Sequence, residues 1–138
     1  MIKRIEVYLV TDGNGQEALA YYKDVFGAEL VSKKLWADTI PNVAEEHKDR
    51  LLNAQLLVDG IRIQISDESP EYEYVSGRNV VPTLVFSSVE EVKDIYDKLA
   101  KDAREISLEL QETFFSPAYA NLIDKYGFNW QLVAELED

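Results

Sequence analysis

The chain has 138 residues, 46% of them apolar and 11% aromatic, which is enough to bury one hydrophobic core and excludes global disorder. It has no cysteine, which excludes disulfides, thiolate metal sites and a cysteine nucleophile and agrees with a reducing compartment. The net charge of −12 argues against nucleic acid and anionic membranes as partners, because both would be repelled.

The opening residues lead straight into an alternating strand, residues 3–11 (KRIEVYLVT), so no signal peptide is expected. No apolar run reaches the length of a membrane span, and a cytoplasmic protein is the expectation. The stretch Asp12–Gly27 then opens with turn residues and continues as one amphipathic helix that stops at the glycine. Ala18, Leu19, Tyr22, Val25 and Phe26 recur at three- and four-residue spacing, and Gly27 suits a left-handed helix end. Asp12 or Asn14 is expected to cap its first turn. Asp12-Gly13-Asn14-Gly15 also resembles an anion-binding turn, but it is not a Walker motif and lacks that motif's lysine, so a cap is preferred.

Residues 29–36 read as a second strand, and 37–50, charged and interrupted by Pro41, as a loop with one helical turn. Leu51–Val58 and Ile61–Ser66 form a hairpin about Asp59-Gly60. Residues 67–78 form an acidic connector. The pattern then restarts with a strand over 79–86, placed at a sheet edge because Pro82 lacks a ladder donor. A helix follows over 89–101, capped by Ser87 or Ser88, with Val92, Ile95, Tyr96 and Leu99 as its apolar stripe. Strands over 105–111, 118–123 and 128–136 complete the chain, the last two joined by a turn at 124–127.

Each half therefore reads strand–helix–strand–strand–strand. Gly60 stands four residues before Gln64, as Gly127 does before Gln131. The expected architecture is α+β: one domain over 1–138 built from two βαβββ modules, about 1–68 and about 78–138.

Asp12-Gly13-Asn14, Glu17-Ala18-Leu19 and Tyr21–Glu29 resemble the start of PhnB-like proteins of the vicinal oxygen chelate superfamily, which includes glyoxalase I, bleomycin-resistance proteins and extradiol dioxygenases. Ile65-Ser66-Asp67, Gln111–Phe115 and Asp124–Trp130 carry the likeness further, across nearly the whole chain. The resemblance implies paired modules forming a curled mixed sheet around a cleft, commonly completed in a homodimer.

Strand alternation then assigns faces. Arg62, Gln64 and Ser66 lie opposite Ile61, Ile63 and Ile65. Asn53 and Gln55 share a face, as do Asn129, Gln131 and Val133, and the repeat places Tyr119 and Asn121 where Asn53 and Gln55 stand in the first module. Asn53, Gln55, Arg62, Gln64, Tyr119 and Gln131 are the candidate ligand contacts, and Arg62 suits a carboxylate or phosphate unless it pairs with a surface acid. In metal-dependent relatives the first and last strand of each module supply the ligands. The matching positions here are Gln64 and Gln131, with Val7 and Val81 or Pro82 on the first strands, each uncertain by one residue. Two carboxamides and two apolar residues hold a divalent cation poorly, so neither a metal nor another cofactor is expected; a one-residue slip would bring in Glu6. Asn53 stands where PhnB-like proteins often have histidine.

His47 is the only histidine, expected in a solvated loop, and Ser–His–Asp or Cys–His catalysis has no support. Asp67–Glu71 lacks the spacing of a calcium loop and reads as solvated connector. Trp36, Tyr72, Tyr74, Phe114 and Phe115 serve core or dimer packing, or wall a hydrophobic ligand. No glycine motif supports the methyltransferase name attached to some relatives. The expected function is metal-free binding, or slow processing, of a small organic molecule. The alternatives are a metal-dependent lyase or dioxygenase, needing Glu6 with both glutamines, and a drug-sequestering resistance protein.

Overall fold

Two four-stranded mixed sheets, each packed against one long helix, account for the regular structure in the computed structural model, which describes residues 1–136. The chain divides into one unit from Met1 to Tyr74 and a second from Val75 onward. The repeated element order expected from the sequence is present: β1 (Val7–Thr11), α1 (Gly15–Phe26), β2 (Glu29–Leu35), α2 (Trp36–Thr39), β3 (Leu51–Val58) and β4 (Ile61–Asp67), then β5 (Thr83–Phe86), α3 (Val89–Ala100), β6 (Glu105–Gln111), β7 (Tyr119–Ile123) and β8 (Asn129–Ala134). No helix among the described residues is long and apolar enough to cross a membrane.

In the first unit the strand order is β1-β4-β3-β2, with β1 parallel to β4 and the other pairs antiparallel. Asp59 and Gly60 both take positive φ, 49° and 81°, the twist that a two-residue hairpin between β3 and β4 demands. Leu9, Ala54, Leu56, Ile63 and Ile65 of the sheet and Ala18, Leu19, Tyr22 and Val25 of α1 are buried together as the core. Each of the larger of these side chains contributes about 1.5–3 kcal/mol relative to exposure. Tyr22 and Phe26 stack at 5.8 Å within the same helix.

The cap of α1 differs from expectation. Asn14 occupies the cap position but its side chain accepts no N–H from the helix; its Oδ1 instead accepts the Asp12 N–H. The helix start is held by Asp67, the last residue of β4, whose Oδ1 accepts the Gly15 N–H at 2.9 Å and the Thr11 hydroxyl at 2.7 Å. Its Oδ2 accepts the Leu51 N–H at 2.7 Å. Asp67 is therefore buried, not part of a solvated connector, because it satisfies three donors that open or close other elements. A Cβ at Gly15 would lie 2.8 Å from this carboxylate, so the close approach requires glycine.

The second unit has the order β5-β8-β7-β6, again with its first and last strands parallel. Val92 and Leu99 of α3 and Ala120, Leu122, Trp130 and Leu132 of the sheet are buried. Ser88 caps α3 by accepting the Glu91 N–H at 3.2 Å. β5 is an edge strand, as Pro82 required, but begins at Thr83 and not at Asn79. β1 likewise starts at Val7, where the parallel ladder with β4 begins, and not at residue 3. The 37–50 segment holds two turns where one was expected: α2, whose start is tied by Asp38 to the Leu35 N–H, and a 3₁₀ turn at Glu45–His47.

Candidate functional site

Alternation on β4 sends Ile63, Ile65 and Asp67 to the helix side and Arg62, Gln64 and Ser66 to the other. The register sets Tyr8 on β1 and Gln55 on β3 beside Gln64, and Ser32 on β2 beside Gln55, so one polar row crosses the whole sheet. Val7 pairs with Ile63 and lies in the helix-side register. The first-strand position opposite Gln64 is thus Tyr8, one residue beyond the position expected.

A continuous hydrogen-bond network joins these side chains. Arg62 clamps Glu6 with Nε at 3.1 and 3.0 Å from the two carboxylate oxygens and with Nη2 on Oε1. Arg4 Nε donates to the same Oε1 at 2.5 Å. Gln64 Nε2 donates to Glu6 Oε2 at 2.6 Å, while its Oε1 accepts from Asn53 Nδ2 at 3.1 Å. Asn53 Nδ2 also donates to the Tyr8 hydroxyl oxygen at 2.8 Å. Arg62 Nη1 reaches Gln55 Oε1 at 3.4 Å, and Gln55 Nε2 reaches Asn53 Oδ1 at 3.5 Å. The Arg62 guanidinium first, then Arg4, holds the Glu6 carboxyl at a pKa of about 2, well below the usual carboxylate range. Arg62 therefore meets an acid of its own chain.

The second unit repeats the arrangement. Thr83, Gln131, Asn121 and Leu108 form the corresponding row across β5, β8, β7 and β6. The Tyr119 hydroxyl donates to Gln131 Oε1 at 2.5 Å, the diagonal contact that Asn53 makes to Gln64. The first-strand position is thus Thr83; Pro82 contributes only its carbonyl, which accepts the Gln131 N–H. Asn121 turns its amide to Asn129 Oδ1 and the Trp130 carbonyl. Phe115 packs edge-on against Tyr119 at 5.0 Å, and Phe114 against Phe115 at 5.1 Å. Both phenylalanines are exposed, Phe114 fully, so neither belongs to the core of this chain.

These donors do not suit the divalent ion that the resemblance suggests. Glu6 spends both oxygens on two guanidinium groups and Gln64, and each glutamine oxygen already accepts a hydrogen bond. No cluster of three or more His, Asp or Glu suited to a metal occurs among the described residues.

His47 is half-buried, its Nδ1 accepting from Arg50 Nε at 3.3 Å, so it is not the freely solvated loop residue expected. It lines a cavity of about 420 Å³ with Trp36, Ile40, Val43, Pro70 and Glu71, apart from the polar row. The Tyr74 hydroxyl donates to the Val10 carbonyl at 2.8 Å, a structural role, and Tyr72 is exposed. Tyr8 and Thr83 escaped the sequence reading; the only signal for them was a polar residue alternating with an apolar strand face.

Residues 4–132 match the model of the Glyoxalase/Bleomycin resistance protein/Dioxygenase superfamily. Protein YjdN of Escherichia coli (strain K12) is 31% identical over 140 residues, covering 91% of this chain and 90% of YjdN. The crystal structure of protein PA1353 from Pseudomonas aeruginosa superposes with a TM-score of 0.89 at 26% identity, covering 99% of this chain and 100% of that one. The PhnB protein from Bacillus cereus gives a TM-score of 0.79 at 24% identity, with 96% of this chain and 100% of that one covered.

Proposed function

The chain belongs to the glyoxalase/bleomycin resistance protein/dioxygenase superfamily, and from that premise we propose that it binds a small organic molecule through hydrogen-bonding side chains, without a metal. Asn53, Gln55, Arg62 and Gln64 contribute in the first unit, with Tyr8 added to them, and Tyr119 and Gln131 in the second. The observation that carries this reading is the engagement of Glu6 by Arg62, Arg4 and Gln64. It takes the acid beside Gln64 out of metal ligation and leaves an ordered array of hydrogen-bonding groups. As in much of the family, the working form is taken to be a homodimer.

A thermal-shift screen of small organic acids, amides and amines, run with and without a chelator, tests the reading. A saturable shift that survives the chelator and is lost in Gln64→Ala or Gln131→Ala supports it. A shift that appears only with added manganese, zinc or nickel would overturn it in favour of a metal-dependent lyase or dioxygenase. Exposed Phe114 and Phe115 beside Tyr119 favour a second reading, drug sequestration without turnover, which the same screen tests with glycopeptide drugs.

A further inference from the structure

The polar row of the first unit has a direction. A carboxylate only accepts, so Glu6 fixes the Gln64 carboxamide with its NH₂ toward the acid and its oxygen toward Asn53. Asn53 then gives one N–H to Gln64 and the other to the Tyr8 oxygen, while its own oxygen takes Gln55. The side-chain acceptors from Glu6 to Gln55 are consequently all engaged: both Glu6 oxygens, the oxygens of Gln64, Gln55 and Asn53, and the Tyr8 oxygen.

What the row leaves over is donors. The Tyr8 O–H proton has no acceptor among the described residues, and Tyr8 is 47% exposed. Arg62 commits three of its five N–H groups, to Glu6 and Gln55, and Gln55 commits one of two. Accepting the Asn53 N–H polarises the Tyr8 hydroxyl and makes it a better donor. Arg4, Arg62 and Glu6 together carry one positive charge in excess, in a chain whose net charge is −12. The general repulsion of anions by that net charge fades within about 8 Å at physiological salt, so local charge decides at the site.

We propose that this face takes its ligand by an anionic oxygen, a carboxylate or phosphonate, held by the Tyr8 hydroxyl with the free N–H groups of Arg62 and Gln55. This rests on the preceding reading that the face binds a small organic molecule and names the chemical class. Tyr8 is the positioning donor; Glu6 acts through Gln64 and Asn53 to aim it.

The test is a two-dimensional NMR titration of the full chain, following the side-chain amides of Asn53, Gln55 and Gln64. Three probes of one size are used at matched ionic strength: phenylphosphonate, benzamide and benzylamine. The expected result is a saturable shift of these amides with phenylphosphonate, at least about tenfold tighter than with either other probe. Tyr8→Phe, at a half-exposed position, weakens it about 10- to 100-fold, the value of one hydrogen bond to an ion. Tyr8→Phe with unchanged affinity overturns the proposal. Equal or tighter binding of benzylamine or benzamide also overturns it, while leaving the small-molecule reading intact. Silence of these amides toward all three probes overturns both.

Discussion

Asp67 and Glu6 are two carboxylates of the same unit with opposite uses, and each is legible in what it touches. Asp67 is buried and accepts from Thr11, Gly15 and Leu51, so removing it strands two backbone N–H groups away from water and leaves the Thr11 hydroxyl only the Ser66 carbonyl at 3.2 Å. Asp67→Ala is expected to cost about 3 kcal/mol or more in urea unfolding. Gly15→Ala reads the same contact from the other side. At an ordinary helix position it would stabilise by about 0.5–1 kcal/mol, but the 2.8 Å approach of Asp67 reverses the sign, and a loss of about 1–3 kcal/mol is expected. Glu6 lies near the surface, and its readout is protonation. Its folded pKa of about 2 lies below the ordinary carboxyl value of 4.5, so its contribution to stability is complete above 4.5 and lost as pH falls from there toward 2. A ¹³C NMR titration of the Glu6 carboxyl should place its midpoint near 2, and Arg62→Ala should move it up toward 4.5, since Arg62 is the leading cause of the depression.

The two long helices solve the same end problem by different means. Ser88 caps α3 from the adjoining residue, whereas α1 is capped by a residue that follows Gly15 by 52 positions. Ser88→Ala is therefore expected to cost about 1 kcal/mol. Asn14→Ala should change stability by less than about 0.5 kcal/mol in the same chemical denaturation series, because its side chain accepts from Asp12 and makes no cap bond to the helix. This contrast also explains what the sequence could reveal. Helix stripes, the Asp59-Gly60 hairpin and the alternation that faces Gln64 and Gln131 away from the core are local properties, and all are present in the structure. The parallel register of β1 on β4 joins residues 56 apart, and no local pattern encodes it. For that reason the sequence places the first-strand positions only to within one residue, at Val7 and at Val81 or Pro82, where the structure has Tyr8 and Thr83, and the pairing of Glu6 with Arg62 is legible only as a general option. Asp67 read as connector because its charge says nothing about three partners supplied by distant elements.

At the scale of the whole chain the net charge of −12 is a standing cost that salt relieves. Exposed ion pairs such as Lys98–Asp94 are worth at most about 1 kcal/mol each, so screening the general repulsion outweighs screening them. Raising sodium chloride from about 0.02 to 0.3 M is expected to raise the melting temperature by about 2–5 °C, measured by calorimetry. Both units also share an arrangement on their central strands. On β4, Ile63, Ile65 and Asp67 alternate with Arg62, Gln64 and Ser66; on β8, Trp130 and Leu132 alternate with Gln131 and Val133. One parity of residues anchors the fold, while the other stands clear of the helix side, where the proposed ligand contacts lie. Recognition can therefore drift, by duplication and point substitution or by deliberate redesign, without a debt in folding, and a single inherited scaffold can be refitted to new chemistries one alternate residue at a time.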